Sequence, residues 1–207
     1  TTLLLETTNG ATITYEDDTL TITSPLTTNG YVIEYTPNGG SVWNTYTAPV
    51  EIEEGIETIG QYAFYRTNLE KIKLPSTITE IRQGVFSYSN NLESIDLSNT
   101  QITNIRYETF EKDIGLKTVK LPKSLTAIDS DAFSMCTNLT NIDFSNTQLE
   151  TIDEMAFYEC NNLTSIGDFP ETITTIGERA FYNCKKLTDV DFSDTNITTI
   201  GKEAFSK

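Results

Sequence analysis

A phenylalanine returns at near-constant spacing through most of this chain, at Phe64, Phe86, Phe110, Phe133, Phe157, Phe181 and Phe205. The steps are 22, 24, 23, 24, 24 and 24 residues. A fixed period of this length marks a solenoid. One unit reads Leu116, Val119, Leu121, Pro122, Leu125, Ile128, Phe133. Val119-Lys120-Leu121 alternates apolar, polar, apolar, which predicts a short strand with its apolar ends inward and Lys120 outward. Pro122 ends the strand. Leu125 and Ile128 turn a corner, and Ala132-Phe133 are expected on a short helical turn on the opposite side. One unit cannot bury its own apolar face, so stacked neighbours must share a continuous core.

The strand triplet recurs as Val50/Ile52, Ile72/Leu74, Ile95/Leu97, Val119/Leu121, Ile142/Phe144, Ile166/Phe169 and Val190/Phe192. Only Ile166-Gly-Asp-Phe169 has two residues between its apolar pair, which reads as a bulge beside a glycine or as a tolerated slip. After the strand, Pro turns (Pro75, Pro122, Pro170) alternate with Ser-Asn-Thr or Ser-Asp-Thr turns (98–100, 145–147, 193–195). Pro fixes φ, whereas Ser, Asn and Asp bend the chain by bonding its backbone. The alternation implies duplication of a two-unit block.

The pattern L-x-x-I-x-L-P-x-x-I-T-x-I-G-x-x-A-F-x-x-C, carried by Leu163–Cys184 apart from the bulge, resembles the BspA-like leucine-rich repeat family. Leu139–Cys160 carries it with Ser-Asn-Thr in place of Pro. The resemblance covers about residues 50–207. It implies a surface protein of bacteria or mucosal protists, adhering to host cells or neighbours through a repeat face. It carries over no catalytic residue.

The fold expected is a right-handed leucine-rich-repeat solenoid, α/β-type and β-rich, of about seven repeats of 22–24 residues over residues 50–207. Residues 1–49 break the period and are expected to form an N-terminal β-rich cap. Ala11–Tyr15 and Thr19–Thr23 alternate as half-buried strands do, with Glu16-Asp17-Asp18 as their hairpin loop. Tyr31–Tyr35 is a third strand candidate between the turn signals Asn29-Gly30 and Asn38-Gly39-Gly40. Trp43, the only Trp, is expected to pack the cap on the first repeat. Phe192 and Phe205 would lie near an open end, so further repeats or end-to-end self-association of copies is expected.

With 207 residues, one elongated domain plus a cap suffices. A net charge of −16 argues against nucleic acid, which needs a basic surface, and against anionic membrane surfaces. No 18-residue apolar run exists to insert into a membrane. Thr1–Leu5 lacks the basic start and full apolar core of a signal peptide. The expected location is the cell surface or secreted, with signal and anchor in other parts of a longer chain.

Zero His removes the commonest general base, no Gly-rich phosphate loop occurs, and no catalytic residue or cofactor is expected. Cys136, Cys160 and Cys184 each fall three residues after the repeat Phe, where earlier units carry Thr67, Ser89 and Asp113. That periodicity reads as a buried thiol ladder. An odd count forbids full pairing within the chain, and without His or paired spacing no zinc site is expected.

Two surfaces are candidates for a partner. The outward strand column reads Glu51, Lys73, Asp96, Lys120, Asp143, Gly167-Asp168, Asp191. Its signs alternate as far as Asp143, which favours correct stacking by roughly 0.2–1 kcal/mol per pair. Asp143, Asp168, Asp189 and Asp191 then lack a lysine. They are either a solvated acidic face or a contact patch for a basic partner or Ca²⁺. Tyr65, Tyr158 and Tyr182 each follow the repeat Phe, with Tyr62 and Tyr88 near the same edge. They either contact protein or glycan or cover the rim of the core. Three sequons occur, at Asn138, Asn162 and Asn196, and the Asn of the first two is open to backbone bonding instead. The function expected is non-enzymatic adhesion to a protein partner on a host cell, matrix or another microbe. The rivals are a structural spacer without a ligand and an intracellular scaffold.

Overall fold

A computed structural model describes residues 5–6, 12–16, 19–23, 31–33, 47 and 49–207. Trp43 and the turn at 38–40 lie outside the described residues. The chain enters through strands β1 (Leu5–Glu6), β2 (Thr12–Glu16) and β3 (Thr19–Thr23), an antiparallel ribbon in which Glu16 pairs with Thr19. β3 then pairs in parallel with β5 (Val50–Ile52). Between them runs β4 (Tyr31–Ile33), which pairs in parallel with β6 (Ile56–Ile59). The N-terminal strands thus extend two sheets of the repeats.

From residue 50 the chain winds in coils, numbered one to seven here by their phenylalanines. Each coil offers at most two short strands. On the first face lie β5, β7 (Ile72–Lys73), β9 (Ser94–Asp96), β11 (Thr118–Lys120) and β13 (Asn141–Ile142). On the second lie β6, β8 (Glu80–Ile81), β10 (Asn104–Ile105), β12 (Ala127–Ile128), β14 (Thr151–Ile152), β15 (Thr175–Ile176) and β16 (Thr199–Ile200). All pairing between coils is parallel and in register, as in Val119 beside Ile95 and Ile142. The molecule is a parallel β-solenoid.

The first face follows the expected triplets only in part. After β13 it continues as a single bridge, Asn141 to Ser165, and Val190–Phe192 forms no strand. The bulge explains the stop. Gly167 adopts a left-handed φ of 66°, and its N–H turns to the Ser165 hydroxyl at 3.3 Å. Both faces are also interrupted between coils two and three. The ladders group as β1-β2-β3-β5-β7 and β9-β11-β13 on one face, and as β4-β6-β8 and β10-β12-β14-β15-β16 on the other.

The third side corrects an expectation, because no helix occurs among the described residues. Ala132-Phe133 sit in two consecutive turns. In coil one, Ala63 N–H donates to Gly60 O and Tyr65 N–H to Tyr62 O, while Tyr62, Phe64 and Arg66 donate to Gln83, Val85 and Ser87 of the next coil. Alternate amides therefore serve the turn and the neighbour. This requires a positive φ two residues before and two after the Phe, as at Asp131 (55°) and Met135 (60°). Non-glycine residues hold nearly all of these positions, which only a tightly determined surrounding sustains. Gly84 is the one glycine among them.

The phenylalanines stack through the centre. Six successive ring pairs lie 5.0–5.6 Å apart, from Phe64–Phe86 to Phe181–Phe205, so seven rings bound six complete turns. Phe144, Phe169 and Phe192 form a second, shorter stack. Both enclose a continuous core with Leu116, Leu125, Ile128 and their equivalents. The alternating turns also differ physically. Thr77, Ser124 and Thr172, two residues after Pro, donate to the preceding coil at Ile56, Ile102 and Leu149 O. Thr100, Thr147 and Thr195 close their own turns on Leu97, Phe144 and Phe192 O.

Candidate functional site

The outward column of the first face is paired in twos. Lys73 bonds Glu51, and Lys120 Nζ lies 2.8 Å from Asp96 Oδ2. Beside them Lys117 reaches Glu93 at 2.6 Å. These pairs are solvent-exposed and order the surface more than they stabilise it.

The four candidate aspartates are all exposed, yet they do different work. Asp143 Oδ1 accepts the Ser145 N–H at 2.9 Å and its hydroxyl at 2.6 Å. Asp191 does the same for Ser193, whose hydroxyl and N–H hold its carboxyl below the usual carboxylate range. Asp96 repeats the arrangement with Ser98. Asp-x-Ser is therefore a turn device at the end of the triplet, and Asp143 and Asp191 are partly committed to it. Asp189 accepts the Thr188 hydroxyl at 3.1 Å. Asp168 offers its N–H to Ser145 Oγ at 3.1 Å. A shallow groove of about 610 Å³ gathers Asp168, Asp189 and Asp191 beside Ser165 and Thr188. Asp143 touches the other wall through Gly167, whose missing side chain leaves room for the Asp143 carboxylate. Among the described residues no group of three His, Cys, Asp or Glu is placed to hold a metal ion.

The tyrosine edge divides in two. Tyr62, Tyr65 and Tyr88 meet edge to face, with centroids 5.6 and 5.8 Å apart. The Arg66 guanidinium lies 5.1 Å from both the Tyr65 and Tyr88 rings, and Lys112 lies 5.2 Å from Tyr88. Tyr62 donates its hydroxyl to Glu108 at 3.3 Å and accepts Gln83 Nε2 at 3.3 Å. Lys112 pairs with Glu111 at 2.7 Å, which with the Tyr88 hydroxyl raises its pKa. Tyr62, Tyr65, Ser87, Tyr88, Glu108, Glu111 and Lys112 wall a cleft of about 460 Å³ spanning coils one to three, with Arg66 at its edge against Tyr65 and Tyr88. Tyr158 and Tyr182 lie farther along, face to face at 5.4 Å, with Arg179 at 6.0 Å from Tyr182 and bonded to Glu203. The tyrosines are half-buried, so each covers the core rim and also presents one surface to solvent. Tyr62, Tyr65 and Tyr88 are legible at this edge in the sequence, but Arg66, Glu108, Glu111 and Lys112 are not, because only the left-handed turns bring these neighbouring coils into one cleft.

The sequon asparagines are engaged by their side chains. Asn138, Asn162 and Asn196 donate Nδ2–H to Ile114, Thr137 and Glu171 O of the preceding coil at 2.8, 2.7 and 3.0 Å. The thiols are free, buried and stacked along the core, each donating to a backbone carbonyl.

A stacked β-solenoid with this spacing of Leu, Ile, Ala-Phe and Cys can be compared with known repeat families. The profile of the BspA type leucine rich repeat region matches residues 43–148 and 127–207, in six copies. The chain belongs to the BspA-type leucine-rich repeat family. No curated protein matches its sequence. Among solved structures, this BspA-type array is similar to a leucine rich repeat protein of T. pallidum, with 24% identity over 91% of this chain and 88% of that one, and a TM-score of 0.64. A leucine-rich repeat protein from Eubacterium ventriosum gives 24% identity and a TM-score of 0.68 over 98% of this chain and 49% of that one. A leucine rich cell surface protein from Faecalibacterium prausnitzii is more distant, at 20% identity over 93% of this chain and 77% of that one, with a TM-score of 0.39. The first two likenesses concern the fold. The BspA-type family and its repeat fold are typically non-catalytic.

Proposed function

We propose that this BspA-type array is a non-enzymatic recognition module, presented at the cell surface or secreted, that binds a protein partner on a host cell, matrix or another microbe. The observation that carries the reading is the cleft of Tyr62, Tyr65 and Tyr88 with Arg66 and Lys112. Tyr and Arg are the residue types enriched where proteins meet, because they offer large area and directed hydrogen bonds at low entropic cost. Here they are held in place by ring contacts and ion pairs, so little ordering cost remains to be met on binding. The groove at Asp168, Asp189 and Asp191 is a second contact surface, suited to a basic partner. On this reading residues 1–49 serve as the cap of the array.

The test is binding of the folded chain to intact epithelial cells and to matrix proteins. Three proteins are compared: wild type, Tyr65→Ser/Tyr88→Ser, and Asp168→Asn/Asp189→Asn/Asp191→Asn. Saturable binding lost in the tyrosine variant supports the cleft. Loss only in the aspartate variant moves the site to the groove. Absence of binding by folded wild type supports the spacer, a reading favoured by the paired charges of Glu51–Lys73 and Asp96–Lys120.

A further inference from the structure

In four coils the position three residues after the repeat Phe performs one repeated task. Its side chain donates to the carbonyl of the Phe in the preceding coil. Ser89 Oγ bonds Phe64 O at 2.7 Å, Cys136 Sγ bonds Phe110 O at 3.0 Å, Cys160 Sγ bonds Phe133 O at 3.1 Å, and Cys184 Sγ bonds Phe157 O at 3.2 Å. One rung is different. In coil three the position is Asp113, which is fully buried; by the register of the other coils its acceptor would be Phe86 O. Phe86 O takes the Ser89 N–H at 3.0 Å, leaving a lone pair for the missing rung. Neither carboxylate oxygen of Asp113 has a hydrogen-bond partner. The nearest amides, of Gly115 and Leu116, lower its pKa only in part, and the Leu116 N–H bonds the Asp113 carbonyl at 3.3 Å.

A carboxylate has no proton to donate, so an ionised Asp113 would bury a charge whose oxygens make no hydrogen bond and would leave Phe86 O without its rung. A carboxylic acid has one O–H. We propose that Asp113 is a neutral carboxylic acid in the folded chain, its hydroxyl donating to Phe86 O, and that this proton forms an acid-favoured clasp between coils two and three. The place matters, because this is the junction at which both sheets are interrupted. The coils are joined there by the Phe86–Phe110 stack, the turn-edge bonds from Gly84, Phe86 and Tyr88 to Tyr107, Thr109 and Glu111, the bonds from Gln101 to Ile78 O and Ser76 O and from Ser87 Oγ to Glu111 O, the Arg106–Glu80 pair, and this rung.

The groups facing Asp113 do not provide another explanation. Ser89 occupies the same position in the coil before and Cys136 in the coil after, and Cys136 is itself a neutral thiol, its pKa raised by burial and then by Asp113. On its own coil the charged pair Glu111–Lys112 lies at the half-buried rim. Burial is the leading cause that lifts the Asp113 pKa well above 3.8, and no charged side chain adds to it. The sign follows by linkage. The folded state holds the proton more tightly than the unfolded state. The stabilisation is therefore complete below about 3.8 and is lost as pH rises from there through the folded-state value. When the proton leaves, Asp113 must reach water through the adjoining turn, where Ile114 is 48% exposed.

The test is thermal unfolding from pH 5 to pH 8 of wild type, Asp113→Asn and Asp113→Cys. Asn keeps a donor without titrating, and Cys copies the neighbouring rungs. Wild type is expected to lose roughly 3 °C or more of Tm relative to both variants across this range. Parallel curves would overturn the clasp. Should either variant fail to fold, the carboxyl carbon shift of Asp113 in wild type decides the matter. A protonated shift at pH 6 supports the clasp, and an ionised one overturns it. Amide exchange at Gly84, Phe86 and Tyr88, corrected for intrinsic rate, is expected to rise from pH 5 to 8 more than at Phe133 and Phe157. Equal change at both sets would overturn the local loosening.

Discussion

The ring of Tyr62 lies across Gly84 of the next coil, in the space that a β-carbon on Gly84 would fill. Such a carbon would overlap Tyr62 Cε1 and Cδ1, and Gly84 also holds a φ of 63°. Gly84→Ala is therefore expected to destabilise the array by about 1–2 kcal/mol from the left-handed backbone, plus the cost of lifting the ring. Chemical unfolding of Gly84→Ala, Tyr62→Ala and the double variant separates the two contributions. The double variant should lose less than the sum of the singles.

Gly167 faces the same constraint at the bulge. An alanine there would meet Asp143 Oδ1 and lie 2.9 Å from Ser145 Oγ, again at a left-handed φ. Gly167→Ala is expected to lower stability by at least about 1 kcal/mol. It should also raise amide exchange at Ser145 and Asp168, whose N–H groups bond this turn. Unchanged exchange at both amides would count against the link.

The central stack and the surface pairs should differ sharply in energy. Phe157 is fully buried, with rings at 5.0 Å on both sides. Phe157→Ala is expected to cost about 3–5 kcal/mol. Lys120→Ala, which removes an exposed pair with Asp96, is expected to cost under about 1 kcal/mol. Denaturant midpoints of the two variants measure both.

The thiols should be inert while the chain is folded. Burial pushes Cys184 up to about 12 and Cys136 and Cys160 well above the ordinary 9.0. A thiol raised in this way adds stability below its unfolded value near 9.0 that is lost as pH rises beyond it. At pH 8 a thiol-reactive dye is expected to leave the folded chain unlabelled and to label three cysteines in denaturant. Fast labelling of Cys136 without denaturant would contradict the core ladder.

The repeat was legible because Phe, Leu and Ile at fixed steps have few other uses. The triplets Val50/Ile52, Ile95/Leu97 and Val119/Leu121 gave the first face, and the thiol ladder followed from the periodicity of Cys136, Cys160 and Cys184. The second sheet was missed because Ala127–Ile128 and its equivalents are two residues long, too short to show alternation. A short helical turn was expected at Ala132-Phe133. The positive φ at Asp131 and Met135 left no glycine to mark it. At the candidate surfaces the tyrosines were visible, but Asp143 and Asp191 read as free charge because their bond to a serine two residues on is a matter of geometry. Asp113 passed as one small polar residue among several, since only its full burial without a hydrogen-bond partner sets it apart from the hydroxyls and thiols of the other coils.

Both sheets stop between coils two and three, and the tyrosine cleft straddles that line, with Tyr62, Tyr65 and Tyr88 on one side and Glu108, Glu111 and Lys112 on the other. The seam is thus common to the cleft and the clasp. A molecule gripping both sides from outside and a proton clasping them from inside would act on the same joint. Thermodynamic reciprocity then makes each an effector of the other: acid would tighten capture, and capture would draw a proton from solution by the same factor.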